Sequence, residues 1–306
     1  MTATALGSDQ VMTSRSQRNV YGIAGMMWTD LTAPGLSLLA AASWGGGDFS
    51  GGLATKRANV FRVVAVAHTC GFASMLLMAG LTREALPPVA DLLWGAFAGL
   101  VGAFGIAALY KALAIGRMGV VAPVTAVVTG CLPVLFAVTT EGMPGRMQLL
   151  GFALALASIW LVARPGEFID SHRGLGLACF AGVMFGVFLI AGKQAGHHSV
   201  FWPLVAARFA SAALMIVIVA VAAPTPRSLR GVMWPVVLSG LADSAGNALF
   251  IAATQHGRLD VAAVLSSLYP ASTVILARVL LHERMSRSQI VGIVGALASV
   301  ALISMR

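Results

Sequence analysis

The sequence predicts an all-α membrane protein, with ten transmembrane helices in two inverted five-helix repeats. Three observations carry this expectation. The 306 residues are 58% hydrophobic and only 10% charged, with a mean hydropathy of +0.87, whereas a soluble domain carries about 25% charge. Charge-free stretches recur, most of them near the ~20 residues that a helix needs to cross the hydrocarbon core. The segment 147–164 then returns almost unchanged as 288–305, with Gln148, Gly151 and Ala155-Leu156-Ala157-Ser158 recurring as Gln289, Gly292 and Ala296-Leu297-Ala298-Ser299. The offset (292 − 151 = 141) also pairs Gly45 with Gly186, Gly51 with Gly192, Gly99 with Gly240, Gly105 with Gly246, Arg117 with Arg258 and Arg146 with Arg287. Apolar sequence would not keep Gly, Arg and Gln in register for so long by chance.

Residues 1–30 lie outside the repeat and read as a disordered tail or a misassigned start, with Met26 or Met27 as the alternative initiators. Their one apolar stretch, residues 21–28, is too short for a signal peptide. The first span is 31–47, which runs through Gly45-Gly46-Gly47 into Asp48. The second, 63–82, carries His68. The third, 92–110, aligns Gly99, Gly102 and Gly105 as a packing face and leads into Lys111. The fourth, 118–140, holds Pro123 and Pro133. The fifth, 147–163, and the tenth, 288–305, are the most alike of all and uncharged, so they are expected to support the bundle rather than line a cavity. The sixth covers 174–192, and the seventh covers 209–226 with Arg208 at its edge. The eighth is interrupted by Asp243 and runs from about Gly231 to Thr254; the ninth, 261–277, holds Pro270. No ten-residue alternation supports the other spanning solution, a closed barrel. The repeats are thus 34–164 and 175–305.

Five helices per repeat turn the second repeat over relative to the first. Lys and Arg are then more numerous on the side opposite the chain ends, which by the positive-inside rule puts the ends outside. Cys70, Cys131 and Cys179 sit in apolar spans and read as small core residues. No metal-ligand cluster, cofactor motif or basic-aromatic pattern for nucleic acid is evident.

An ionisable side chain well inside a span costs at least ~2.5–3.5 kcal/mol on insertion scales, so it faces a cavity or a partner. Asp243 lies near the middle of its helix, with Asn247 one turn on along the same face. Its repeat mate is Gly102, so this charge exists in one half only. Asp243 therefore reads as lining a central cavity, or as paired with Arg208. Asp48, among its glycines, and Arg208 are further cavity candidates. His68 reads as a core histidine bonded to a backbone carbonyl, with a proton-linked role as the alternative. Pro123, Pro133 and Pro270 each remove a helix hydrogen bond and are expected to act as hinges at matched places in the two halves. Ser266 and Tyr269 stand on the turn before Pro270, where an opened helix would present their hydroxyls.

Trp44-Gly45, Asp48-Phe49 and Gly51-Gly52 before Lys56-Arg57 resemble the first helix of EamA-type transporters of the drug/metabolite transporter superfamily. Leu109-Tyr110-Lys111-Ala112-Leu113 and Gly119-Val120-Val121-Ala122-Pro123-Val124 resemble the passage from third to fourth helix in that family. The second half adds Asp243 to Asn247, Val264-Leu265-Ser266-Ser267-Leu268-Tyr269-Pro270 and Leu281-His282-Glu283-Arg284. The family often has Gly-Glu-Arg after the fourth helix, and here Glu141-Gly142-Met143-Pro144 stands instead. The resemblance covers about residues 34–305 and adds Lys111 to the cavity candidates. It implies a secondary transporter of small metabolites, working by alternating access and exporting across the bacterial inner membrane. The implied partners are a small-molecule substrate and the lipid bilayer, with a homodimer as the oligomeric option, no nucleic acid and no cofactor.

Two other classes stay open on the residues. Gly45-Gly46-Gly47-Asp48 spells the GxGD motif of intramembrane aspartyl proteases, and Asp243 would supply the second carboxylate of an acid/base pair. Those proteases carry a Tyr-Asp helix before the GxGD helix, and here GxGD comes first. A pore would need a ring of like charges or a repeated filter sequence, and neither is evident. A non-enzymatic transporter is the expectation.

Overall fold

A computed structural model describes residues 32–55, 57–115, 118–162, 174–222, 229–281 and 286–304. The readings for residues 1–30 and for His282-Glu283-Arg284 lie outside them. All the regular structure among the described residues is helical: a first helix over residues 32–55 (α1), then α2 (Val60–Leu81), α3 (Val89–Ile115), α4 (Met118–Glu141), α5 (Arg146–Val162), α6 (Leu175–Ala195), α7 (Phe201–Ala222), α8 (Met233–His256), α9 (Leu259–Ser266), α10 (Tyr269–Leu281) and α11 (Arg287–Ser304). Six of these, α2, α3, α4, α6, α7 and α8, hold a stretch long and apolar enough to cross a membrane, and the apolar parts of α5 and α11 are shorter.

Local chemistry sets several of the ends. Asn59 caps α2 by accepting from the amides of Phe61 (3.0 Å) and Arg62 (3.4 Å), which satisfies two of the donors a helix start leaves bare. At α7 the cap comes from the other repeat. Glu84, in the turn after α2, accepts from the amides of Val200, Phe201 and Trp202 and from the Ser199 hydroxyl at 2.6–3.3 Å. A carboxylate there also meets the positive end of the helix dipole.

The ninth segment corrects the expected count of unbroken helices. It divides at Ser267–Leu268, where the Ser266 and Ser267 hydroxyls both donate back to the Ala263 carbonyl (3.2 and 2.7 Å). Pro270 then sits in the first turn of α10, where its missing N–H leaves nothing unpaired. In the first repeat α4 runs without interruption through Pro123 and Pro133. The expected matched hinges are therefore not both helix breaks, and the break belongs to the second repeat alone.

Packing follows the repeat. Under the 141-residue offset, α2 matches α7 and α5 matches α11, and both pairs pack against each other. They cross antiparallel: Phe72 meets Phe209 while Val64 clusters with Met215 and Met75 with Leu204, and Gly151 meets Ile303 while Gly295 meets Ser158. Mates that run antiparallel across one another are what a twofold axis perpendicular to the helices generates. Reciprocal contacts repeat the pattern. Gly105 lies against the Phe185 ring and its mate Gly246 against the Trp44 ring, and Trp44 and Phe185 are mates too. Gly99 abuts the Ala207 backbone, and its mate Gly240 abuts that of Ala67. Without a Cβ at these glycines the helices can touch backbone to backbone, as membrane interfaces do.

Candidate functional site

The helices around this axis line a cavity. Its volume is about 90 Å³, several times the ~10–15 Å³ that one water needs. Both repeats build it. From the first come Trp44 and Asp48 on α1, His68 on α2, Gly102 and Ile106 on α3, and Thr129 on α4. From the second come Phe185, Phe188 and Leu189 on α6, Arg208 and Ser211 on α7, Asp243 and Asn247 on α8, and Tyr269 on α10.

Of the residues singled out from the sequence, Asp48, Arg208, Asp243, Asn247 and Tyr269 meet at this cavity. Asp243 and Asn247 do so because they lie one turn apart on α8. Arg208 donates a charge-assisted hydrogen bond from Nη2 to Asp243 Oδ2. The guanidinium is buried, with its side chain 7% exposed, and the Asp243 side chain is 32% exposed toward the cavity. Trp44 Nε1 donates to Asn247 Oδ1 at 2.9 Å and ties α1 to α8. Two candidates lie elsewhere. Lys111 is exposed at the end of α3 and is absent from the cavity lining. Ser266 is buried with its hydroxyl spent on Ala263.

His68 departs from its expected place. It is buried, it lines the cavity, and its Nδ1 has no hydrogen-bond partner among the described residues, nor has Arg208 Nε. Sequence reasoning also missed Trp44, Thr129, Phe185, Phe188, Leu189 and Ser211. The offset held a signal for two of them, since Phe185 is the mate of Trp44 and Leu189 the mate of Asp48. Among the described residues, no cavity-lining residue comes from α5 or α11, which pack on each other.

A second polar cluster lies where α4 and α6 finish and α9 begins. Lys193 on α6 bonds to the Glu141 carboxylate at the end of α4, which also accepts from the Leu259 amide of α9 (3.2 Å). Arg258 donates to the Glu141 and Gly142 carbonyls (2.8 Å each) and to Asp260 (2.7 Å). Hydrogen bonding to Asp260 raises the Arg258 guanidinium above its already high ordinary value, against a smaller effect of burial. Glu141 thus makes the polar contact at the place where the sequence lacks Gly-Glu-Arg. At the same end His198 Nδ1 meets Asp91 Oδ2 (2.9 Å) and Glu84 holds the start of α7. Together these contacts tie both repeats across one mouth of the bundle.

No curated protein matches this chain. Among solved structures, one crystal structure of a protein is similar at a TM-score of 0.72, with 21% identity over 89% of this chain and 96% of that one, a likeness that shows the fold. A family model describing EamA-like transporters matches residues 31–164 and again residues 172–305. The twofold match, on an all-helical apolar chain whose two halves close around one polar cavity, assigns the protein: it belongs to the EamA-like transporter family of the drug/metabolite transporter superfamily.

Proposed function

We propose that this chain is a secondary transporter that exports a small metabolite across the bacterial inner membrane by alternating access. In this reading all ten segments cross the bilayer as two inverted repeats, the shorter α5 and α11 included, and α9–α10 act as one broken span. The observation that carries the proposal is the cavity itself. Asp48, His68, Arg208, Asp243 and Asn247 come from both repeats of an apolar chain and converge on one space. Burying them there is expensive unless the space serves a polar ligand or ion. Transporters built from inverted repeats hold their substrate at such a repeat interface.

The ion-pair cluster at Glu141, Lys193, Arg258 and Asp260 supports a state closed on one side. Under the offset, Lys193 has Gly52 as its mate, Asp260 has Gly119 and Asp91 has Val232, so these three charges have no counterpart at the matched positions. Alternating access then consists of parting this cluster while the other mouth shuts. The protease reading loses ground for a specific reason: the Asp243 carboxylate is engaged by Arg208, so the two aspartates do not form a pair sharing one proton.

A thermal-shift screen of purified protein against amino acids, nucleosides and organic cations tests the binding step, because a ligand of the folded state raises its melting temperature. Hits then go into proteoliposomes. Saturable flux that falls in Asp243→Asn, at equal amounts of folded protein, is the expected result. Flux indistinguishable from empty liposomes for every hit would sink the transporter reading.

A further inference from the structure

The twofold relation between the repeats makes the cavity's chemistry readable as pairs of mates. Four such pairs line it: Trp44 with Phe185, Asp48 with Leu189, Asp243 with Gly102, and Asn247 with Ile106. In the last three, one mate is polar and the other apolar. In the first, only the indole of Trp44 carries a hydrogen-bond donor, and it uses it. All four members with polar groups stand on α1 and α8, which touch through Trp44 against Gly246 and Gly47 against Asp243. All four apolar members stand on α6 and α3, which touch through the mated contacts, Phe185 against Gly105 and Phe188 against Gly102. The cavity thus has a polar wall and an apolar wall facing each other across the axis, with α2 and α7 between them.

Charge narrows the occupant further. The polar wall carries two carboxylates, Asp48 and Asp243. The only Arg or Lys among the described lining residues is Arg208, and it is bound to Asp243. His68, from α2, is the remaining titratable group apart from Tyr269. With the charge of Arg208 offset by Asp243, no Arg or Lys among the described lining residues remains to balance the Asp48 carboxylate, which is left to whatever enters. A ligand carboxylate would have to compete with Asp243 for the one guanidinium.

We propose that the cavity takes a monocationic amphiphile: a primary ammonium on an apolar body about the size of one aromatic ring, with the ammonium on Asp48 and the body against Phe185, Phe188 and Leu189. The inference rests on reading the cavity as the substrate site. The ammonium replaces its water by a charge-assisted hydrogen bond to the carboxylate. The body is removed from water against α6 and α3.

The test uses four related probes on the full chain in detergent, followed by titration calorimetry. Phenethylamine has head and body, ethylamine has the head alone, phenylalanine adds a carboxylate, and 3-phenylpropanoate keeps the body and reverses the charge. Phenethylamine is expected to bind tightest, with ethylamine about tenfold weaker or more for want of the buried ring. Phenylalanine should be clearly weaker, and 3-phenylpropanoate should show no saturable binding. Asp48→Asn should weaken phenethylamine by about 10- to 100-fold, the worth of a hydrogen bond to a charged group. Leu189→Ala should weaken phenethylamine and leave ethylamine unchanged. The ranking on the unaltered protein decides the matter even if a variant folds poorly. Equal or tighter binding of ethylamine, phenylalanine or 3-phenylpropanoate overturns the proposal, as does no binding of phenethylamine. Saturable flux of some other solute beside absent phenethylamine binding would leave the transporter reading standing and remove this one. Tight phenethylamine binding without flux would do the reverse.

Discussion

At the same place in the two repeats, α3 presents Gly102 and Ile106 to the cavity, while α8 presents Asp243 and Asn247. Three residues from Gly102 on α3, and three from Asp243 on α8, the repeats instead agree: Gly105 and Gly246 each receive an aromatic ring from the other half. The positions that let helices touch have stayed alike, and the positions that face the cavity have diverged. Symmetry therefore carries the architecture, and its local failure carries the chemistry.

The largest expected effect falls on an asymmetric position. Asp243→Ala leaves the buried Arg208 guanidinium without its partner, and removing one member of a buried pair costs roughly 3–5 kcal/mol. The opening of Asp243 toward the cavity places the value near the lower end. Its mate change, Gly102→Ala, adds a methyl whose nearest neighbour is the Phe188 ring at 3.2 Å, and should cost well under half as much. Denaturation in mixed micelles would measure both. A double change of Arg208→Met with Asp243→Leu should recover most of the loss, since an apolar pair of similar volume carries no stranded charge. Equal costs for Asp243→Ala and Gly102→Ala would end the contrast drawn above.

Next come the symmetric positions. Gly99→Ala and Gly240→Ala each drive a Cβ into backbone of the facing helix, at Ala207 and Ala67. Alanine would otherwise gain about 1 kcal/mol of helix propensity over glycine, but overpacking of about 1–3 kcal/mol works against it. Because the neighbour is backbone that cannot rotate aside, both changes should lower stability, and by similar amounts. Melting temperatures of the two single variants would check this; a loss in one and a gain in the other would show that the repeats do not share their packing.

The smallest effect concerns Trp44→Phe, which makes α1 match α6 at this mate. It removes the indole donor to Asn247 Oδ1, worth about 0.5–1.5 kcal/mol, and keeps the ring against Gly246. A double-mutant cycle with Asn247→Leu isolates that bond. The coupling should nearly vanish for the corresponding cycle of Phe185→Leu with Ile106→Leu, where no hydrogen bond exists.

Much of this was legible in the residues. The offset gave the repeat, charge-free stretches gave the segments, and the i, i+4 spacing of Asp243 and Asn247 put them on one face. What was not legible is which helix meets which, because in a lipid solvent the contacts are chosen by small-residue packing over long sequence separations. That is why the expectation for Asp243 stayed divided between cavity and Arg208, when the structure gives it both. Lys111 was carried by family resemblance, and the end of α3 takes it to the surface. The sequence offers Pro123, Pro133 and Pro270 as hinges, yet in the second half the chain opens three residues before Pro270, at Ser267, since a proline is best accommodated in the first turn of a helix rather than at its break. Glu141 departs from the family's Gly-Glu-Arg and so gives no sequence signal of a polar contact, although its charge at a helix end is what the start of α9 uses.

The carboxylate of Glu84 is joined to the start of α7 across 116 to 118 residues of chain. A ribosome makes the N-terminal half first, so this side chain stands ready in water, at the rim of the bilayer, before its target has been synthesised. The late half is thus held to the early one by a carboxylate on backbone amides at the end of the bundle, a contact that asks no charge to enter the apolar interior.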